Sequence, residues 1–152
     1  MKGIKKLIFL SLLVSIGLAL SIIESMMPVP FIAPGAKLGL SNMVTVGILK
    51  SIIFTLATGS ISSLFYSLSG SILSCLIMYI IYNKFSEIFS LIGVSIFGAV
   101  AHNTAQVLVA SLMMNNFKIF SYLPILLLTS LFTGYFVGLA SIYITKNLKK
   151  TF

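Results

Sequence analysis

Charge is scarce in this chain, and negative charge is almost missing. Charged residues are 8% of the 152 positions, where a soluble domain carries about a quarter. The only acidic residues are Glu24 and Glu87, which lie in different segments. Two separated carboxylates cannot form the acidic metal cluster that diphosphate transfer needs. Cysteine is limited to Cys75, which excludes an internal disulfide or thiolate metal site and leaves a buried structural thiol as the expectation. His102 is the single histidine; without a thiolate pair or a neighbouring carboxylate, no metal site is expected there. Walker, Gly-x-Ser-x-Gly and dinucleotide-binding signatures are absent. The chain therefore cannot hydrolyse ATP, no cofactor is expected, and any energy coupling must come from a partner. No stretch is polar and long enough to fold separately in water, which excludes a soluble catalytic domain.

Apolar sequence takes the place of charge. Hydrophobic residues make up 59% of the chain, and the mean hydropathy is +1.15. Residues 7–27, 88–114 and 122–145 contain one charged group between them, Glu24. About twenty predominantly apolar residues cross a bilayer as a helix, so these runs are read as membrane spans. Residues 38–58, apolar apart from Asn42 and Lys50, and the serine-rich residues 61–82 add two more, with Gly59 offering a break between them. Pro28, Pro30 and Pro34 lie in the loop after the first run. Each fixes φ and removes an N–H, so helix stops there and resumes near Lys37. Residues 1–20 look like a signal peptide, but the apolar run exceeds a signal core and further spans follow, so it is read as a retained helix. The expected fold is all-α: one integral membrane domain over residues 1–152, a helical bundle of about five crossings.

The net charge of +8 comes from ten basic residues, all lysines. In a soluble protein that balance points to nucleic acid. Here Lys2, Lys5 and Lys6 open the chain, and Lys146, Lys149 and Lys150 close it. They are read as cytoplasmic anchors against anionic lipid headgroups, not as nucleic-acid contacts. Lysines inside at both ends require an even number of crossings, which five is not. The N-terminus is placed inside and the side of the C-terminus stays open, as does a broken or re-entrant segment around Lys50.

Polar residues inside apolar spans are costly and mark candidate sites. His102 and Gln106 are four apart and share a helix face, with Asn103 about a hundred degrees round. They form either an interhelical hydrogen-bond clamp or part of a ligand site. Glu24 precedes the proline loop and Lys37 follows it. These two either pair or anchor at the interface, or they form a polar mouth under the loop. In the second case Lys37 stands at a helix N-terminus, where free N–H groups favour an anion, and Gly35 permits close backbone approach. Tyr66 and the serines of residues 61–82 either line the same cavity or bond back to their own helix. Ser11, Ser15 and Ala19 repeat at i, i+4 and i+8, and Gly134 and Gly138 repeat the spacing in the last span. Small residues at this spacing let helices approach closely, within the chain or with a partner.

Four stretches carry a family resemblance: Ile23-Glu24-Ser25, Pro34-Gly35-Ala36-Lys37-Leu38-Gly39-Leu40-Ser41-Asn42, Tyr66-Ser67-Leu68-Ser69-Gly70, and Gly98 to Gln106 around Ala101-His102-Asn103. Together they resemble the bacterial membrane family called heptaprenyl diphosphate synthase component I, or Gx transporter family. That family is similar in turn to the substrate-binding S subunits of energy-coupling factor (ECF) transporters. The resemblance implies a multi-pass subunit of the bacterial cell membrane that captures a small molecule, anionic or isoprenoid-related, under its first external loop. It would then dock on a transmembrane coupling protein driven by ATPase subunits. It implies substrate-binding roles for Glu24, Lys37, Asn42, His102, Asn103 and Gln106, and a docking role for Ser11, Ser15 and Ala19. The alternative is an accessory membrane subunit beside a soluble prenyl diphosphate synthase. The family pattern has six spans, and this chain is about one helix short, between Asn42 and Tyr66.

Overall fold

The computed structural model of the protein describes residues 39–151. The first apolar run, with Ser11, Ser15, Ala19 and Glu24, and the proline loop with Lys37 lie outside the described residues. What is described is helical throughout: α1 (Leu40–Thr58), α2 (Ile61–Phe85), α3 (Leu91–Met113), a 3₁₀ helix (Phe117–Tyr122) and α4 (Leu123–Thr151). Three segments are long and apolar enough to cross a membrane: Ile61–Phe85, Leu91–Met113 and Phe117–Tyr143. α1 is the shorter apolar helix; its 19 residues rise about 28 Å, close to the ~30 Å of a hydrocarbon core.

Lys50 lies inside unbroken helix, so the segment around it is not broken. The break falls at Gly59, whose φ of 66° is left-handed and whose N–H caps the Thr55 carbonyl at 2.9 Å. Glycine adopts that conformation without the cost a Cβ would add. Two residues then separate α1 from α2, which forces an antiparallel pair. The α2–α3 turn is closed by Phe85–Phe89 and Phe89–Phe97 edge-to-face contacts.

Each helix packs on the next in sequence, with α3 between α2 and α4. The interfaces combine a small core of Met43, Cys75, Met78 and Val94 with many small and hydroxyl side chains. Ser51 Oγ lies 2.9 Å from Ser67 Oγ, joining α1 to α2, and donates to the Gly47 carbonyl at 2.9 Å. Glycine sets the α3–α4 distance: a Cβ on Gly134 would lie 2.6 Å from the Ile96 Cα, and one on Gly138 would lie 2.5 Å from the Ile92 Cα. The Gly134/Gly138 repeat therefore packs within the chain. The distribution of burial is that of a protein in lipid. Ser51, Ser74, Ser95, Ser130 and Ser141 are buried, whereas Leu56, Phe132, Phe136 and Tyr143 stand outward. Association by close backbone approach and hydroxyl contacts, with large apolar groups left to the acyl chains, is membrane packing. The protein is a helical membrane bundle.

Antiparallel packing gives the bundle two ends. One carries the start of α1, the α2–α3 turn and the end of α4. The other carries the α1–α2 turn and the 3₁₀ helix.

Candidate functional site

α3 is unbroken and carries His102, Asn103 and Gln106 within its apolar run, and helical geometry divides them. His102 is 4% exposed and lies against α2, where Gly70 makes room for it: a Cβ there would fall 2.6 Å from Cε1 and 2.7 Å from Nδ1 of the imidazole. Asn103, one residue on, turns toward α4. Its Nδ2 donates to Ser130 Oγ at 2.7 Å and to the Leu126 carbonyl at 3.3 Å, and Ser130 Oγ donates to that same carbonyl at 2.7 Å. Asn103 is thus the interhelical clamp, and its amide is occupied. Gln106, one turn beyond His102 on the same face, makes no hydrogen bond to another described residue.

His102 and Gln106 face a cavity of about 350 Å³. This is near the lower end of the ~300–1,000 Å³ typical of small-molecule sites. α1 contributes Lys50 and Phe54; α2 contributes Ser63, Tyr66 and Ser67. The 3₁₀ helix supplies Ile119 and Tyr122, and α4 supplies Leu126. All of these belong to the bundle end formed by the α1–α2 turn and the 3₁₀ helix. A site between bundle helices, mostly apolar with a few convergent polar groups, is a common form of ligand pocket.

Of the residues singled out from sequence, His102 and Gln106 meet at the cavity. Tyr66 and Ser67 of the serine-rich segment join them. Asn103 is directed away into its clamp with Ser130. Asn42 is exposed in the first turn of α1 and does not line the cavity. Glu24 and Lys37 lie outside the described residues. The charged lining residue that sequence reasoning missed is Lys50, whose signal was present as a lysine retained within an apolar run; the apolar lining, such as Phe54, Ile119 and Tyr122, gave no signal. The acidic side chain among the described residues, Glu87, is exposed in the α2–α3 turn at the opposite end. Among the described residues, no three of His, Cys, Asp and Glu come together as a metal-holding group.

Residues 13–144 match the family described as heptaprenyl diphosphate synthase component I. The chain belongs to that family. The matched region includes every described residue that lines the cavity. No curated protein and no solved structure matches it.

Proposed function

We propose that this component I protein is the ligand-binding membrane subunit of an energy-coupled transporter of the bacterial cell membrane. The observation that carries this reading is the cavity: a partly open space inside a membrane bundle, lined by Lys50, His102 and Gln106 as well as apolar groups. Polar side chains are kept inside a bilayer at a cost, and their convergence on one largely apolar space suits a guest with matching chemistry.

The lysine distribution supports capture from outside the cell. Lys84 and Lys146 are exposed near the bundle end away from the cavity, and the last turns of α4, with Lys149 and Lys150, run toward that end. Lys118 stands at the cavity end. By the positive-inside rule the end richer in lysine is cytoplasmic, so the cavity faces out; this puts the start of α1 on the cytoplasmic side, the reverse of the inside N-terminus and external proline loop expected from the sequence. The chain has no nucleotide-binding motif, and energy for release inward comes from a coupling protein with its ATPases. The Ser11/Ser15/Ala19 stripe is the proposed docking surface.

The family description favours a second reading, an accessory subunit beside a soluble prenyl diphosphate synthase. Purification of the tagged protein from its native membrane in mild detergent, with mass spectrometry of its protein partners, separates the two. A coupling protein with ATPases is the expected result. Recovery of a prenyl synthase instead, with a fall in long-chain prenyl synthesis when the chain is removed, would replace the transporter reading with the accessory one.

A further inference from the structure

Depth orders the cavity lining by chemistry. At about 1.5 Å of rise per residue, His102 lies about 16 Å below the end of α3 and Gln106 about 10 Å. By the same measure, Lys50 lies about 12 Å below the end of α1 and Ser67 about 9 Å below the start of α2. Phe54 and Ala110 sit nearer the surface, within about 6 Å of their helix ends. Ile119 and the exposed Tyr122 lie on the connection itself. Val107, also deep, and Ser63, about 3 Å below the start of α2, run against this order, but the charged and amide groups lie deep and the shallow lining is largely aromatic and aliphatic. Among the described lining residues none is acidic.

This order is the reverse of a membrane lipid, which keeps its headgroup at the surface and its chains inward. A lipid anchored at this end would set its headgroup beside Ser63 and the exposed Lys118 but its chains against Lys50 and His102. A long prenyl chain would also exceed about 350 Å³. From this arrangement we infer that the cavity takes a compact organic anion, a carboxylate or phosphate monoester with a short apolar body. It enters charge first, so that its anionic group meets Lys50, Gln106 and Ser67 at the floor and its apolar body is held under Phe54, Ile119 and Tyr122. The inference rests on the ligand-binding reading given above and narrows it to a substrate class. Lys50 is its specificity-determining residue: the ammonium supplies charge-assisted hydrogen bonds, and a glutamine beside it can donate to the same group.

The test is a thermal-shift and binding series on the full-length protein in uncharged detergent. The probes are 4-phenylbutyrate and phenyl phosphate as anions, 4-phenylbutanol and 4-phenylbutylamine as neutral and cationic analogues, and phosphatidylglycerol as an anionic lipid. Wild-type protein is expected to be stabilised by one or both aryl anions over the other probes, and which anion wins identifies the head chemistry. Lys50→Met should weaken that binding about tenfold or more, the scale of one charge-assisted contact, while Lys50→Arg retains most of it. If the neutral or cationic analogue, or the lipid, stabilises as well as the aryl anions, the inference fails although ligand binding stands. The charge series on wild type decides this even where Lys50→Met does not fold. Anion binding that is unchanged in a folded Lys50→Met protein also overturns it. If no probe binds at millimolar concentration, the small-molecule reading of the cavity fails together with the inference.

Discussion

Gly70 and His102 act as one unit although they lie on different helices. The ring fills the space that a side chain at position 70 would need, with only 2.6 Å from the ideal Cβ to the ring carbon Cε1. Gly70→Ala must therefore displace the imidazole or separate α2 from α3. Overpacking of this kind costs about 1–3 kcal/mol. The expected outcome is a lower unfolding temperature in detergent together with loss of cavity binding. Asn103 differs although it is the adjacent residue. Asn103→Ala should lower stability and leave ligand affinity unchanged, because its amide is engaged by Ser130 and Leu126. A double-mutant cycle with Ser130→Ala should give a coupling of about 0.6 kcal/mol, up to ~1.7, the range measured between membrane helices. Loss of ligand affinity in Asn103→Ala with stability unchanged would place the residue in the cavity instead.

At the scale of the helices, close approach between α3 and α4 depends on the absence of side chains at Gly134 and Gly138. Gly134→Leu pushes against the Ile96 backbone, where nothing flexible can give way. It should destabilise the bundle strongly, whereas the same residue placed at Tyr135, which is exposed, should be nearly neutral. Equal effects of Gly134→Leu and Tyr135→Leu on unfolding would contradict the packing described. The repeat of small residues was legible in sequence; the partner was not, since spacing shows that a helix has a smooth stripe but not which helix meets it. The break at Gly59 was equally legible, because a glycine between two apolar runs is a local signal. The His102–Asn103–Gln106 group was legible as polar residues in lipid, and its division was partly so. A four-residue step keeps His102 and Gln106 together and a one-residue step sends Asn103 toward another helix. Lys50 was not legible as a lining residue: hydropathy counts a lysine as an interruption of a span and carries no information on which way it points. The 3₁₀ helix was not legible, because six residues are too few to show a period.

For the whole molecule, the described helices return the chain to the bundle end where α1 begins. This places the C-terminal end of α4 beside the α2–α3 turn. A cysteine introduced beside Lys146 or at Ser86 should be shielded from a membrane-impermeant thiol reagent in intact cells. One introduced at Asn116, in the connection at the cavity end, should be labelled. The reverse pattern would turn the cavity toward the cytoplasm and remove capture from outside. The spans themselves could be read from composition, since nothing but lipid suits so many apolar residues with so little charge. How they enclose a cavity depends on side chains from α1, α2, α3, the 3₁₀ helix and α4 meeting at one end, which no local pattern encodes.

On the ligand-binding reading, the cavity holds a small molecule in the working protein. That claim is tested most directly by purifying wild-type protein from its native membrane and identifying the bound small molecules by mass spectrometry. Ala110→Phe, which puts a ring into the cavity lining, and Leu108→Phe, which adds the same ring on an exposed position, serve as the paired controls. The expected result is one molecule bound near stoichiometrically to wild type and to Leu108→Phe and lost from Ala110→Phe. Wild-type protein that carries nothing, or an Ala110→Phe protein that carries as much as wild type, would contradict the claim.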